Sequence, residues 1–254
     1  MTTPREDALA EVTTTELGPR IDAERGPVFL LPVGSVEPHG PHLPLGTDTL
    51  ISEAAAARAA ARLRAVGLDV LIAPSIPYGV TEFARGFAGA AGVRPNTLTL
   101  FLCDVVGALL SSGASHVSVV NNHLEPEHDA AVRAILPSFD PGRVSIACPL
   151  TRRHARTLSD EFKSGACHAG RYETSLVLAA APHLVRDAAR GDLPDVPISL
   201  SDGIRRGEKT FFEMGMTSAY AGSPASATAA HGEEQLDLLA AMIEAEVREG
   251  LAKL

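Results

Sequence analysis

"GPVFLLPVGSVEPHGPHLPLGTDTLISEAAAARAAARLRAVGLDVLIAPSIPYG", running from Gly26 to Gly79, sets out a strand, a loop, a helix and a second strand in succession. Its opening "GPVFLLPVGS" is a short apolar run bounded by Gly and Pro, the mark of a buried strand. "DTLISEAAAARAAARLRAVG" is sustained as a helix by Ala and Arg, with Asp48 placed to cap it and Gly67 to stop it. "DVLIAPSIPYG" (Asp69–Gly79) then gives a strand that runs into a Pro/Gly turn. Strand, helix, strand in this order makes a parallel crossover unit.

The pattern continues outward. "NTLTLFLCDVVGALLSSG" (Asn96–Gly113) predicts an apolar helix, "SHVSVVNNH" (Ser115–His123) a strand, and "PEHDAAVRAILPSF" a helix starting at Pro126. "RVSIACPL" (Arg143–Leu150) is a fourth strand, "ETSLVLAAAP" (Glu173–Pro182) a short helix, and "GEEQLDLLAAMIEAEVREGLAKL" a long C-terminal one. Between them "EFARGFAGAAGV" (Glu82–Val93) is Gly-rich and aromatic, a loop or lid. The expected fold is therefore α/β, with three layers (α/β/α) around a mostly parallel central sheet. No composition break or internal repeat divides the chain, so a single domain over 1–254 is expected, with 1–25 as a lead-in and 26–254 as the core.

Composition narrows the function. The 254 residues are 45 % hydrophobic and 21 % charged, which is globular rather than disordered. A formal net charge of −9 offers no basic field for nucleic acid. No stretch approaches the roughly 18–20 apolar residues that span a bilayer. The opening "MTTPREDALAEVTTTEL" is too charged for a signal peptide. Three well-separated cysteines, Cys103, Cys148 and Cys167, suit a reducing compartment and side chains that pack as small hydrophobes. A cytoplasmic protein with no membrane partner is the expectation.

In parallel sheets, ligands bind beyond the carboxyl ends of the strands. After the first strand come Glu37 and His39, two residues apart and pointing the same way if the backbone is extended. After the third come His123 and Glu125 with the same spacing, and Asp48 is a fifth group. Imidazole with carboxylate suits zinc, manganese or iron. Five such ligands exceed what one catalytic zinc takes from a protein, whereas two ions bridged by Asp48 would use them all. An isolated Glu-x-His on a loop is commonly solvated surface, and a strand-end histidine is commonly a hydrogen-bonded rim residue. The recurrence of the pair at two corresponding strand ends favours metal.

"LPVGSVEPHGPHLPLGTDT" (Leu31–Thr49) resembles the signature of the creatininase (creatinine amidohydrolase) family, Glu-x-His-Gly-Pro-His-Leu-Pro followed by an Asp. "VVNNHLE" is similar to the family's second block, "CHAGRYETS" (Cys167–Ser175) to its third, and "GMTSAYAGSPASATAAHGEE" to its tail, so the likeness runs from about Gly26 to the end. The resemblance implies two divalent ions, Zn²⁺ or Mn²⁺ with Fe²⁺ as another option. Glu37 and His123 would hold one, His39 and Glu125 the other, and Asp48 would bridge them. It places His168 beside the substrate as a proton donor, and makes Glu173 either an extra ligand or a carboxylate behind the ligands. The alternative for Glu173 is a helix N-terminal acid favoured by the helix dipole.

His42 falls on a family histidine that is not a ligand, with packing or orientation as its duty. His128 is expected to be an exposed helix residue. Arg171 and Tyr172 are expected either to line the pocket or to lie on the surface. The implied reaction is hydrolysis of a C–N bond in a cyclic amide or related small amide. Creatininase closes tryptophans over its substrate, whereas this chain has no Trp and 4 % aromatics. The alternatives are a family peptidase acting on a small modified peptide, of mycofactocin-maturation type, and a formamide deformylase. A non-catalytic metal-binding protein is a further reading, against which the His168 and Glu173 block speaks. The expected partner is a small amide substrate, and the expected assembly a homo-oligomer, up to a hexamer.

Overall fold

The computed structural model describes residues 7–254 and contains one four-stranded sheet, all parallel, in the order β2-β1-β3-β4. The strands are β1 (Val28–Val33), β2 (Val70–Ile72), β3 (His116–Asn121) and β4 (Val144–Ala147). The helices that precede or link them are α1 (Thr14–Ile21), α2 (Thr47–Ala65), α3 (Pro95–Ser111) and α4 (Pro126–Arg133). After β4 come α5 (Arg152–Ala155), α6 (Asp160–Ser164), α7 (Arg171–Ala180), α8 (Asp187–Gly191), α9 (Leu200–Arg206) and α10 (Ala229–Leu251).

Strand periodicity makes the three layers. Val28 and Leu30 of β1 face a core shared with α2, α7 and α10, while Phe29, Leu31 and Val33 face a second core shared with α3 and α4. Right-handed crossovers fix which helix lies where. From β1 to β2 the chain steps one way, with α2 on one face. From β2 past β1 to β3, and on to β4, it steps the other way, with α3 and α4 on the opposite face. The reversal leaves a crevice between the carboxyl ends of β1 and β3, where open α/β sheets bind ligands.

A proline in a central strand needs an explanation, because it cannot donate to the ladder. The Pro32 carbonyl accepts from Ile76 N–H at 2.9 Å, so its missing donor faces the β2 side, where the β2 ladder has already ended at Ile72. Gly34 follows β1 because the first turn of α2 passes too close for a side chain: a Cβ there would lie 2.4 Å from Thr49 N. That contact sets the start of α2 against the end of β1.

One local expectation is corrected. Asp48 does not cap α2; the cap position is Gly46, and Asp48 sits in the first turn with its carboxylate buried. Residues before Gly26 include α1, capped by a reciprocal Thr13–Glu16 box and packed through Leu17 against the α3/α4 core. Among the described residues no helix is long and apolar enough to cross a membrane.

Candidate metal centre

The loop after β1 is held by main-chain bonds along its length. Glu37 N–H donates to Leu45 O, Gly40 N–H to Ala219 O, and the carbonyls of Val36 and His42 accept from Ala91 and Arg186. The loop therefore delivers Glu37 and His39 as fixed groups, buried at 2 % and 0 % exposure, beside Asp48 at 1 %. From the loop after β3 comes His123, and from the first turn of α7 comes Glu173, both buried.

These side chains form two overlapping triads with ligand atoms within 4.8 Å of one another: Glu37, Asp48 and His123 in one, His39, Asp48 and Glu173 in the other. Asp48 belongs to both. Its Oδ1 lies 3.1 Å from His39 Nε2 and its Oδ2 lies 3.0 Å from His123 Nδ1. A further triad draws Glu37 and His39 together with His168.

The donor set fits divalent cations. His39 Nδ1–H donates to Glu37 O at 3.1 Å, which turns Nε2 toward the carboxylates. His123 Nε2–H donates to Val80 O at 2.6 Å, which turns Nδ1 toward Asp48 and Glu37. A backbone carbonyl on the far nitrogen is the usual arrangement behind a metal-ligating imidazole. Asp48 Oδ2 is buried and makes no hydrogen bond despite its short approach to His123, so the two atoms converge without being aligned on each other. Two ligand atoms aimed at a common third point have this geometry.

Charge tells the same story. Burial opposes ionisation of Asp48, but His39 and His123 outweigh it and hold the carboxyl well below its ordinary value. Burial also opposes charge on His39, yet Asp48, Glu173 and Glu37 raise it to about 10. His123 is raised well above the ordinary histidine value, with burial outweighed by Glu37 and Asp48. Burial, opposed by His39 and reinforced by Asp48 and Glu37, pushes Glu173 up to about 8.

Glu125, expected to pair with His39, is in none of the three triads. Its two oxygens accept from Glu82 N–H at 3.0 Å and Phe83 N–H at 3.1 Å, and Glu173 takes the position beside His39 instead. Glu125 still lines the small cavity of about 30 Å³ at the centre, together with Glu37, Asp48, His123, His168 and Glu173. That volume has room for a water or an ion. Burial raises Glu125 to about 7 against the pull of His123 and the two amides.

His168 sits between His39 and Phe211, its ring tilted against both with centroids 4.4 Å from each. Its Nε2–H donates to Pro38 O at 3.0 Å, leaving Nδ1 on the cavity side, 3.8 Å from Glu37. Burial and the neighbouring His39 lower it to about 4, so the ring is neutral at pH 7. Ala169, next in the chain, takes a left-handed φ of 50° and donates its N–H to Glu173 at 2.6 Å, so one strained residue aims both groups. His42 bonds Thr174 at 2.9 Å and holds the loop to α7. Tyr172 is buried in the core beside Phe162, while Arg171 is exposed; neither lines the cavity.

His128 corrects an expectation: it is fully buried. Its Nδ1 accepts from Val80 N–H at 3.2 Å and its Nε2–H donates to Asn121 Oδ1 at 3.1 Å. Val80 is thereby fixed where its carbonyl meets His123. Thr81, not singled out from the sequence, donates its hydroxyl to Glu37. Residues 80–83 thus tie down Glu37, His123, Glu125 and His128 together. The sign available for His128 was its spacing from Ala131, Val132 and Ile135, which places it on the buried face of α4. We expect His128→Asn to weaken metal affinity about ten- to hundred-fold with the fold intact, as outer partners of metal ligands do. Metal titration against a competing chelator measures it.

A buried set of imidazoles and carboxylates at the switch point of a parallel sheet is the donor chemistry of a metal-dependent hydrolase. The creatininase (creatinine amidohydrolase) family matches residues 10–247, and the chain belongs to it. It is 34 % identical over 229 residues to a mycofactocin precursor peptide peptidase of Mycobacterium tuberculosis, covering 87 % of this chain and 84 % of that one. It is 28 % identical over 195 residues to a creatinine amidohydrolase of Pseudomonas putida, covering 70 % and 73 %. Among solved structures, creatinine amidohydrolase superposes with a TM-score of 0.72 at 21 % identity over 98 % of this chain and 99 % of that one. A structure named "Creatininase Mn" gives 0.69 at 23 % over 97 % and 99 %.

Proposed function

We propose that this chain is a single-domain hydrolase that uses two divalent ions to cleave an amide bond in a short peptide. The carrying observation is the pair of buried triads joined by Asp48. Glu37, Asp48 and His123 would hold one ion, and His39, Asp48 and Glu173 the other. When bound, divalent ions of the zinc or manganese type supply Lewis acidity and lower the cost of ionising water. His168 carries a proton on its cavity-facing Nδ1 from the attacking water to the leaving nitrogen; with its value near 4, the protonated ring is a strong donor. Glu125, held near 7 and facing the same cavity, is the second proton carrier. Phe83, Leu124, Leu200 and Phe211 wall the cavity and exclude bulk water.

Peptide is favoured over a compact ring by what adjoins the cavity. A groove of about 610 Å³ shares Phe83, Leu124, Cys167 and Leu200 with it, far more space than a five-membered ring needs. The peptidase relatives and the lack of tryptophan support the same substrate class. Cyclic-amide hydrolysis is the second reading, favoured by the creatinine amidohydrolase relative. We further propose a cytoplasmic homo-oligomer, supported by three free cysteines and by exposed Tyr78 and Phe101, which line one surface groove.

The test is hydrolysis by zinc- or manganese-loaded protein of a short-peptide library, creatinine and N-formyl compounds side by side. Peptide cleavage is expected, lost on chelation. His168→Gln should lower kcat about 10²- to 10⁴-fold at unchanged metal content. Creatinine turnover in place of peptide cleavage would favour the second reading, and no turnover by fully loaded protein would overturn both.

A further inference from the structure

We propose that the groove beside the metal centre is an anion-binding subsite that receives a carboxylate of the substrate; the proposal rests on the peptide reading above and adds the substrate's charge. The groove runs against the electrostatic grain of the molecule. The chain carries a formal −9, yet four cations line the groove, Arg133, Arg152, Arg156 and Lys163, against one carboxylate, Asp129, among the described residues.

Two of these cations already have partners. Arg133 binds Asp129 at 2.8 Å and Thr151 at 3.0 Å, and Lys163 pairs with the fully exposed Asp160 at 2.7 Å. Arg152 and Arg156 differ: neither side chain makes a hydrogen bond or ion pair among the described residues. They are four residues apart, the first residue and the C-cap of α5, which places two like charges one turn apart on the same side. Arg153, between them, faces the other way and reaches Glu246 and Glu249 on α10 at 2.6 and 2.5 Å. Both side chains are exposed on the groove wall, and an anion there meets two cations with no competing carboxylate paired to either among the described residues. Guanidinium groups match carboxylates by paired N–H bonds.

Placement turns this into specificity. Through Phe83, Leu124, Cys167 and Leu200 the groove opens on the metal cavity. A second groove carries mixed charge, with Arg85, Arg94 and Lys209 against Glu82, Glu125, Glu127 and Glu208 on its walls, and does not favour an anion. An amide straddling the centre is therefore oriented with its anionic end toward Arg152 and Arg156. In a peptide the anion is either the C-terminal carboxylate or an acidic side chain.

The experiment uses metal-loaded protein and tetra-alanine peptides with an uncharged N-terminal fluorophore and N-methylated bonds that resist hydrolysis: the free acid, the C-terminal amide, and an amide with one internal Glu. Fluorescence anisotropy at low ionic strength should show the free acid, the Glu-containing amide or both binding about five- to twenty-fold more tightly than the neutral amide. Which one does so identifies the source of the carboxylate. The Arg152→Ala/Arg156→Ala double variant should erase that preference without weakening the neutral amide, and Arg→Lys at both positions should restore part of it. Equal binding of all three peptides, or a preference that survives the double variant, overturns the proposal. In parallel, kcat/KM is measured on unmethylated peptides. Cleavage without charge preference overturns the subsite and spares the peptidase; charge-selective binding without cleavage keeps the subsite and removes the peptidase.

Discussion

Asp48→Asn should strip both ions from the protein and lower hydrolysis at least about 10³-fold, the largest loss expected from a single substitution. The substitution keeps size and one oxygen but removes the charge and an acceptor. Each Asp48 oxygen faces a different imidazole, and the residue is shared by the triads assigned to the two ions. Glu173→Gln touches only the His39 side and should cost one ion. Elemental analysis after dialysis against limiting zinc reads the difference: near zero per chain for Asp48→Asn, near one for Glu173→Gln, near two for the parent. Retention of two ions by Asp48→Asn would sink the shared-ligand assignment. Far-ultraviolet circular dichroism confirms that the fold survives, as expected because His39 and His123 can each shed a proton when their counter-charge goes.

Metal affinity should also depend steeply on pH. In the chain without a cation, His39 sits near 10 and His123 is raised well above its ordinary value, so both are protonated at pH 7. Glu173, near 8, carries a further proton. A cation takes the place of those protons, so binding releases two to three of them per chain. Affinity therefore falls as pH falls, by about a hundred-fold per pH unit for two protons. Calorimetry of zinc binding in buffers of different ionisation enthalpy counts the protons directly. Heats that do not change with buffer, and an affinity that is flat from about pH 6 to 8, would contradict the charge balance described for the cluster.

Much of this was readable from residue order. The apolar run of β1 and the strand–helix–strand rhythm carry the layers, because buried parallel strands demand apolar runs and crossovers demand helices. The repeated acid–imidazole spacing after β1 and β3 falls at the crevice between their carboxyl ends, because those loops must open on the switch point. What stayed hidden depends on main-chain groups, which every residue carries alike. Glu125 is turned by the amides of Glu82 and Phe83, some 40 residues upstream, and no side-chain pattern announces an amide donor. Glu173 was legible only as a choice between ligand and helix-terminal acid, and the left-handed Ala169 decides its aim. His128 read as surface because its partners, Val80 N–H and Asn121, come from other elements.

The tethers around the centre have a consequence for how the protein tolerates change. Val80 O, Glu37 O, Pro38 O and the N–H groups of Ala169, Glu82 and Phe83 do the steering, and a peptide unit survives every substitution except one to proline at an N–H donor. Side chains at Val80, Glu82 and Phe83 can therefore drift while the steering persists, provided the chain path is kept. Phe83 is at once a steering amide and a wall of both the cavity and the groove. A lineage could accordingly trade one substrate for another at that position and keep its catalytic geometry, so chemistry and selectivity can evolve on separate atoms of the same residue.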